Sequence, residues 1–207
     1  MRALILIQGI NKKGNYLLDG IGHIASHYDK IFYAKTERTF DVIKDSLPFY
    51  LQWIPDKYKE LLADLIGFFK NKYTRKSINF HISDKIDEFK ALGYEVDILS
   101  HSLGTLIALA LGSKKKKVTV NKLFMLNSPL GIDSKILRLY VKANMLRFSK
   151  YFYCRDLQNV WSDNDFVSKD MAKSLKFVEK RADQSTHYSV KNGGHDHKNS
   201  IKKIKFD

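Results

Sequence analysis

Apolar positions along the chain follow two rhythms. Residues 3–7 (Ala-Leu-Ile-Leu-Ile) are a continuous run ending at Gln8-Gly9, the pattern of a central strand buried on both faces and closed by a tight turn. Asp29 to Ala34 predicts a second strand, and Tyr16 to Tyr28 is long enough for the crossover helix that a parallel pair requires. Further strands are predicted at Tyr94 to Leu99, Asn121 to Leu126, Leu157 to Trp161 and Ser185 to Val190. Between them the spacing changes to threes and fours. Tyr58, Leu61, Leu62, Leu65, Ile66 and Phe69 share one helical face, as do Ile82, Ile86 and Phe89 within a helix over Ser77 to Leu92 that Gly93 stops. Leu103 to Leu111 is apolar on almost every face, so that helix should be buried. Residues 133–150 read as a basic amphipathic helix, and a short basic helix ends the chain.

Strands alternating with helices specify an α/β fold, a mostly parallel sheet covered on both faces. The 207 residues suffice for one such domain and are too few for two, so residues 1–207 are expected to form a single unit. Residues 40–73 break the alternation with Pro48, Pro55 and aromatics at Phe49, Tyr50 and Trp53. They read as a helical insertion that could serve as a lid, an oligomer contact or additional core.

The formal net charge of +14 brings in phosphate backbones and anionic membranes as partners. The lysines are spread through the chain, with one dense run at Lys114 to Lys117, and no nucleic-acid motif accompanies them. Nucleic acid is therefore not the expected partner; an anionic membrane surface is a plausible destination. A single cysteine, Cys154, forms no internal disulfide and is expected to be an inert core thiol. The apolar stretch after Arg2 is shorter than a signal-peptide core or a membrane span, which predicts a soluble, cytoplasmic protein.

The chemistry concentrates where predicted strands end, the edge at which parallel sheets bind ligands. Tyr94 to Leu99 runs directly into Ser100-His101-Ser102-Leu103-Gly104, a strand, turn and helix with small residues two positions before and after Ser102. A serine hydroxyl is a poor nucleophile without a base and a geometry that lifts it clear of the sheet, and this arrangement supplies the geometry. Val96 to Thr105 resembles the nucleophile elbow of the lipase and esterase branch of the α/β-hydrolase superfamily, with Ser100 where that pattern most often has glycine.

The resemblance implies the remaining roles. Gln8-Gly9-Ile10-Asn11 follows the first strand, as does the oxyanion-hole segment of related hydrolases, so the N–H of Ile10 or Asn11 and that of Leu103 would hold the developing charge, each worth roughly 3 kcal/mol. Gln8 stands where those enzymes often have histidine. The acid would come from Ser162-Asp163-Asn164-Asp165-Phe166-Val167-Ser168, with Asp165 preferred to Asp163 by its match to the family's acid loop. The base would follow last in chain order: His195 in Asn192-Gly193-Gly194-His195, with His197 and, less well, His187 as alternatives. His101 would pack or orient, and Trp53, Leu65 and Phe69 of the insertion would line an acyl pocket. His195-Asp196-His197 could also attract a cation, but it lacks a third ligand nearby. The function implied is a serine hydrolase acting without metal or cofactor on a small or lipid-like ester through an acyl-enzyme. The alternative is a catalytically silent relative that binds an anionic partner through its basic surface.

Overall fold

A computed structural model describes residues 1–9, 16–34, 55–195 and 197–205. Among them six strands form one sheet in the order β2-β1-β3-β4-β5-β6, every neighbouring pair parallel. The strands are β1 (Arg2–Ile7), β2 (Lys30–Ala34), β3 (Glu95–His101), β4 (Val118–Leu126), β5 (Phe152–Ser162) and β6 (Ala182–Val190). The helices are α1 (Tyr16–Gly20), α2 (Gly22–Ala25), α3 (Asp56–Lys70), α4 (Lys72–Ala91), α5 (Leu103–Leu109), α6 (Lys135–Phe148), α7 (Leu175–Glu179) and α8 (His197–Ile201).

Strand alternation explains why the central run is apolar throughout. Ala3, Ile5 and Ile7 of β1 enter a large cluster with Ile98, Leu123, Met125 and Leu157, covered by residues of α3 to α7. Leu4 and Leu6 face the other way, into a cluster with Leu99, Phe124, Leu126 and Val160, covered by Leu17, Ile24 and Ile201. The result is three layers, with the middle one buried on both sides.

The elements agree in type with the sequence reading and differ in extent. β4 starts three residues before Asn121, and β5 starts five before Leu157. Their opening halves carry Asn121, Lys122, Arg155 and Asp156, polar residues at the solvent-facing amino edge of the sheet, and Lys122 Nζ lies 4.0 Å from Asp156 Oδ2 across the pair. The predicted crossover helix before β2 is two short ones, α1 and α2. α4 begins five residues before Ser77, in a polar and largely exposed first turn. α7 was not foreseen; five residues are too few for a readable period.

One feature of the strand order positions the site. β1 leads outward to β2, whereas β3 lies on the opposite side of β1. The connections therefore diverge at the carboxyl ends of β1 and β3, the kind of point at which open parallel sheets bind ligands. Gly9 follows β1 and Ser102 follows β3.

Candidate active site

Ser102 occupies the one-residue turn between β3 and α5 with φ 53° and ψ −128°, a backbone region that costs a non-glycine residue about 1–3 kcal/mol. Close packing on both sides holds it there. A Cβ on Gly104 would lie 2.2 Å from the Ile7 carbonyl oxygen, so only glycine lets α5 approach β1 this closely. A Cβ on Gly9 would lie 3.0 Å from Ser102 Cβ and 3.4 Å from its Oγ, so the missing side chain leaves room beside the hydroxyl. Ser100, in the position of the usual glycine, is buried and donates from Oγ to the Phe124 carbonyl at 3.0 Å.

The ring of His195 bridges Ser102 and Asp165. Its Nε2 is 3.0 Å from Ser102 Oγ, and its Nδ1 is 2.7 Å from Asp165 Oδ2. A carboxylate only accepts, so Nδ1 carries the hydrogen, and in the neutral ring Nε2 is left as the acceptor for the Ser102 hydroxyl. Asp165 is 2% exposed, and its remaining valences are filled locally: the Val167 N–H donates to Oδ1 at 3.0 Å and the Ser168 hydroxyl to Oδ2 at 2.8 Å. Asp163 is exposed, and the bonds that hold the loop come from its neighbours. Asn164 Oδ1 accepts from the Gly194 N–H at 2.7 Å and from the Ser162 hydroxyl at 2.6 Å.

Two further side chains brace the histidine loop. His101 is buried; its ring centre lies 4.9 Å from that of His195, and its Nε2 donates to the His195 carbonyl at 3.2 Å. Asn127, at the end of β4 with φ 49°, donates from Nδ2 to the Gly194 carbonyl at 3.5 Å and accepts from the Ser200 hydroxyl at 3.2 Å. The sequence reading gives His101 as a residue that packs or orients. Asn164 stood only as a neighbour of the candidate aspartates and Asn127 only as the residue closing the predicted strand Asn121 to Leu126, since their roles depend on a loop that arrives some 30 to 70 residues later in the chain.

The other candidates are distributed as follows. Leu103 is the first residue of α5, where an N–H has no intrahelical acceptor, and it adjoins Ser102. Ile10, Asn11, Trp53 and the side chain of His197 lie outside the described residues. His187 is in β6, paired in register with Asn159 and 3.2 Å from Glu179 Oε1. Leu65 and Phe69 depart from expectation. Rather than lining a pocket they are buried in the main core, where Phe69 meets Tyr140 edge-on at 5.7 Å and stacks on Phe148 at 6.0 Å. Helical spacing told which face of α3 is buried; α4 and α6 are what bury it. The start of α3 comes nearer to the acid loop, with Tyr58 and Leu62 clustered with Ile132 and Leu137, and the Tyr58 ring edge-on to Phe166 at 5.5 Å.

No family model matches the sequence, and neither does any curated protein. Solved structures resemble it in fold. SOBER1 of Arabidopsis thaliana aligns with a TM-score of 0.55 at 14% identity, over 97% of this chain and 94% of that one. Est1E from Butyrivibrio proteoclasticus aligns with 0.53 at 12%, over 95% and 82%. MGS-MChE2, an α/β-hydrolase enzyme from the metagenome of lagoon sediments at Mar Chica, Morocco, aligns with 0.51 at 17%, over 96% and 84%. The six parallel strands, their order and these superpositions define the chain as having the α/β-hydrolase fold. At such identities the likeness is one of architecture, and the chemistry has to be argued from the side chains.

Proposed function

We propose that the protein is a serine hydrolase that cleaves an ester-type bond. The observation that carries this reading is the line Ser102–His195–Asp165, with contacts of 3.0 and 2.7 Å. His195 Nε2 takes the Ser102 proton as Oγ attacks the carbonyl, and Asp165 holds the tautomer that makes this acceptance possible and stabilises the imidazolium. The same proton then goes to the departing alcohol, leaving an acyl-enzyme that water hydrolyses by the reverse assignment. The Leu103 N–H is the natural first donor to the tetrahedral oxyanion, and Ile10 or Asn11 is the proposed second. No step requires a cofactor. A cytoplasmic setting belongs to the same reading, and the buried free thiol of Cys154 is at home in a reducing compartment.

The substrate class follows more loosely, as a small or lipid-like ester, because one such site serves several acyl groups. The test is turnover of p-nitrophenyl acetate and octanoate by the wild type and Ser102→Ala. Hydrolysis abolished by that one substitution supports the enzyme. Equal background rates from both folded proteins would favour a silent relative that binds through its basic surface.

A further inference from the structure

Away from the Ser102 edge, the described residues gather positive charge that the fold does not balance. Where the start of α4 meets the end of α6 and the loop leaving α5, a groove of about 320 Å³ is lined by Arg75, Lys76, Lys114, Arg147 and Lys150, with no carboxylate among its lining residues. None of the five forms an ion pair with a described residue. A neighbouring cavity of about 350 Å³ shares Lys76 and adds Lys116, whose ammonium is paired with Asp87.

Arg75 is the anchored member. Its Nη1 donates to the Phe68 and Phe69 carbonyls at 2.7 and 2.8 Å, and its guanidinium carbon lies 4.1 Å from the centre of the Phe148 ring. The Arg147 guanidinium is 5.7 Å from the same ring. Two cations are thus gathered around one aromatic ring. Burial first, and then the nearness of Arg147, holds the Arg75 guanidinium below its usual value.

Helix ends explain part of this pattern. Arg147 lies in the last turn of α6 and Lys150 just beyond it, where cations suit the negative end of a helix, whereas Lys114 stands well past the end of α5. Arg75 and Lys76 stand near the start of α4, whose first turn has no acidic residue and where the helix dipole opposes them. Capping of α3 accounts for Arg75 alone. The convergence of all five cations on one groove is what single helix ends leave unexplained. A fixed guanidinium flanked by ammonium groups is a donor set for phosphate, which arginine binds through its planar fork and lysine as a point charge.

We infer that this groove binds a phosphate-bearing ligand, at a site separated from Ser102 by the length of α5, roughly 10 Å of helix. The site stands independently of the chemistry at Ser102. Its phosphate could belong to a soluble ester or to a lipid headgroup. Ile136, Leu139 and Leu146 are exposed along α6 and would suit the second source.

Two titrations separate the sources. One is calorimetry with inorganic pyrophosphate; the other is co-sedimentation with vesicles of phosphatidylcholine, alone or with a third phosphatidylglycerol. Each uses the wild type, a groove variant (Lys76→Gln, Lys114→Gln, Lys150→Gln) and a variant with the same loss of charge elsewhere (Lys180→Gln, Lys202→Gln, Lys203→Gln). All six lysines are exposed, and melting curves check that both variants fold. The groove variant should lose at least tenfold in affinity in one arm or both, with the control within twofold of the wild type. Binding of pyrophosphate identifies a soluble phosphate; binding confined to the anionic vesicles identifies a headgroup. No binding in either arm, or equal losses in the two variants, would overturn the site.

Discussion

Two aspartates are buried among the described residues, near opposite ends of the sheet, and they are held differently. Asp97, near the amino end of β3, accepts from Arg2 Nη2 at 2.9 Å, Tyr28 OH at 2.7 Å, Asn121 Nδ2 at 2.9 Å and the Lys122 N–H at 2.9 Å. Most of these donors sit on neighbouring strands, and burial together with Asp97 pushes the Tyr28 phenol well up from its ordinary value. Asp165, beyond the carboxyl end of β5, also takes two local donors, but its third partner is an imidazole carried on a loop and touching a hydroxyl. Burial is the same in both. At Asp97 every partner is a donor, and three of the four lie on β1 and β4 and tie strands together, which serves stability; at Asp165 one partner is an imidazole that itself meets a hydroxyl, the arrangement on which the proposed chemistry rests. A buried carboxylate marks a functional site through what its partner does next.

Mutations should pull the two ends apart. The largest effect is expected at the hydroxyl and the ring: Ser102→Ala and His195→Ala should each lower kcat on a p-nitrophenyl ester by about 10⁴- to 10⁶-fold, and the double variant by little more, because the members of such a set act as one unit. Steady-state kinetics beside melting curves would check that the loss is not one of folding. Next come the aspartates. Asp165→Asn should cost about 10⁴ in kcat by favouring the wrong tautomer of His195. Asp97→Ala should leave activity per folded molecule near the wild-type level and lower the free energy of unfolding by about 3 kcal/mol, because Arg2 and Tyr28 lose their buried partner. Urea unfolding of both variants reads the contrast, and an Asp97 variant that folds normally but is inactive would break it.

Smaller effects sharpen the account. Leu65→Ala should lower stability by about 2–5 kcal/mol as a cavity in the core, with the ratio of octanoate to acetate turnover unchanged; a selective loss on octanoate would return Leu65 to a substrate pocket. Ser102→Gly should raise stability by about 1 kcal/mol, since glycine adopts φ 53° without strain while the nucleophile is lost. A destabilised Ser102→Gly protein would mean that the turn stores no strain.

The legible parts of this sequence are those where one physical demand dominates. β1 is apolar throughout because both its faces are covered, β3 alternates straight into the turn at Ser102, and that turn needs small neighbours, so strand, elbow and candidate nucleophile stand out together. The order of serine, acid and histidine along the chain pointed to Asp165 and His195. The choice over Asp163 becomes physical only in the fold, where one aspartate is buried and the other exposed. The beginnings of β4 and β5, Val118 to Val120 and Phe152 to Asp156, alternate buried and exposed residues over only three to five positions, too short a stretch beside the lysine run and the end of α6 to stand out as strand. The destination of Leu65 and Phe69 was hidden for another reason: a periodic stripe says that a face is buried and is silent about its partner. The braces at Asn127 and Asn164 join segments far apart in sequence, which no local pattern reveals.

The central claim is that Ser102 is an activated nucleophile, and covalent labelling tests it most directly. Folded wild-type protein incubated with a fluorophosphonate, digested and sequenced by mass spectrometry should carry close to one adduct per chain, on Ser102. Labelling should vanish in Ser102→Ala and slow by orders of magnitude in His195→Ala, while Asp97→Ala that remains folded labels normally. Folded wild-type protein that takes no label, or takes it on another residue, would contradict the account.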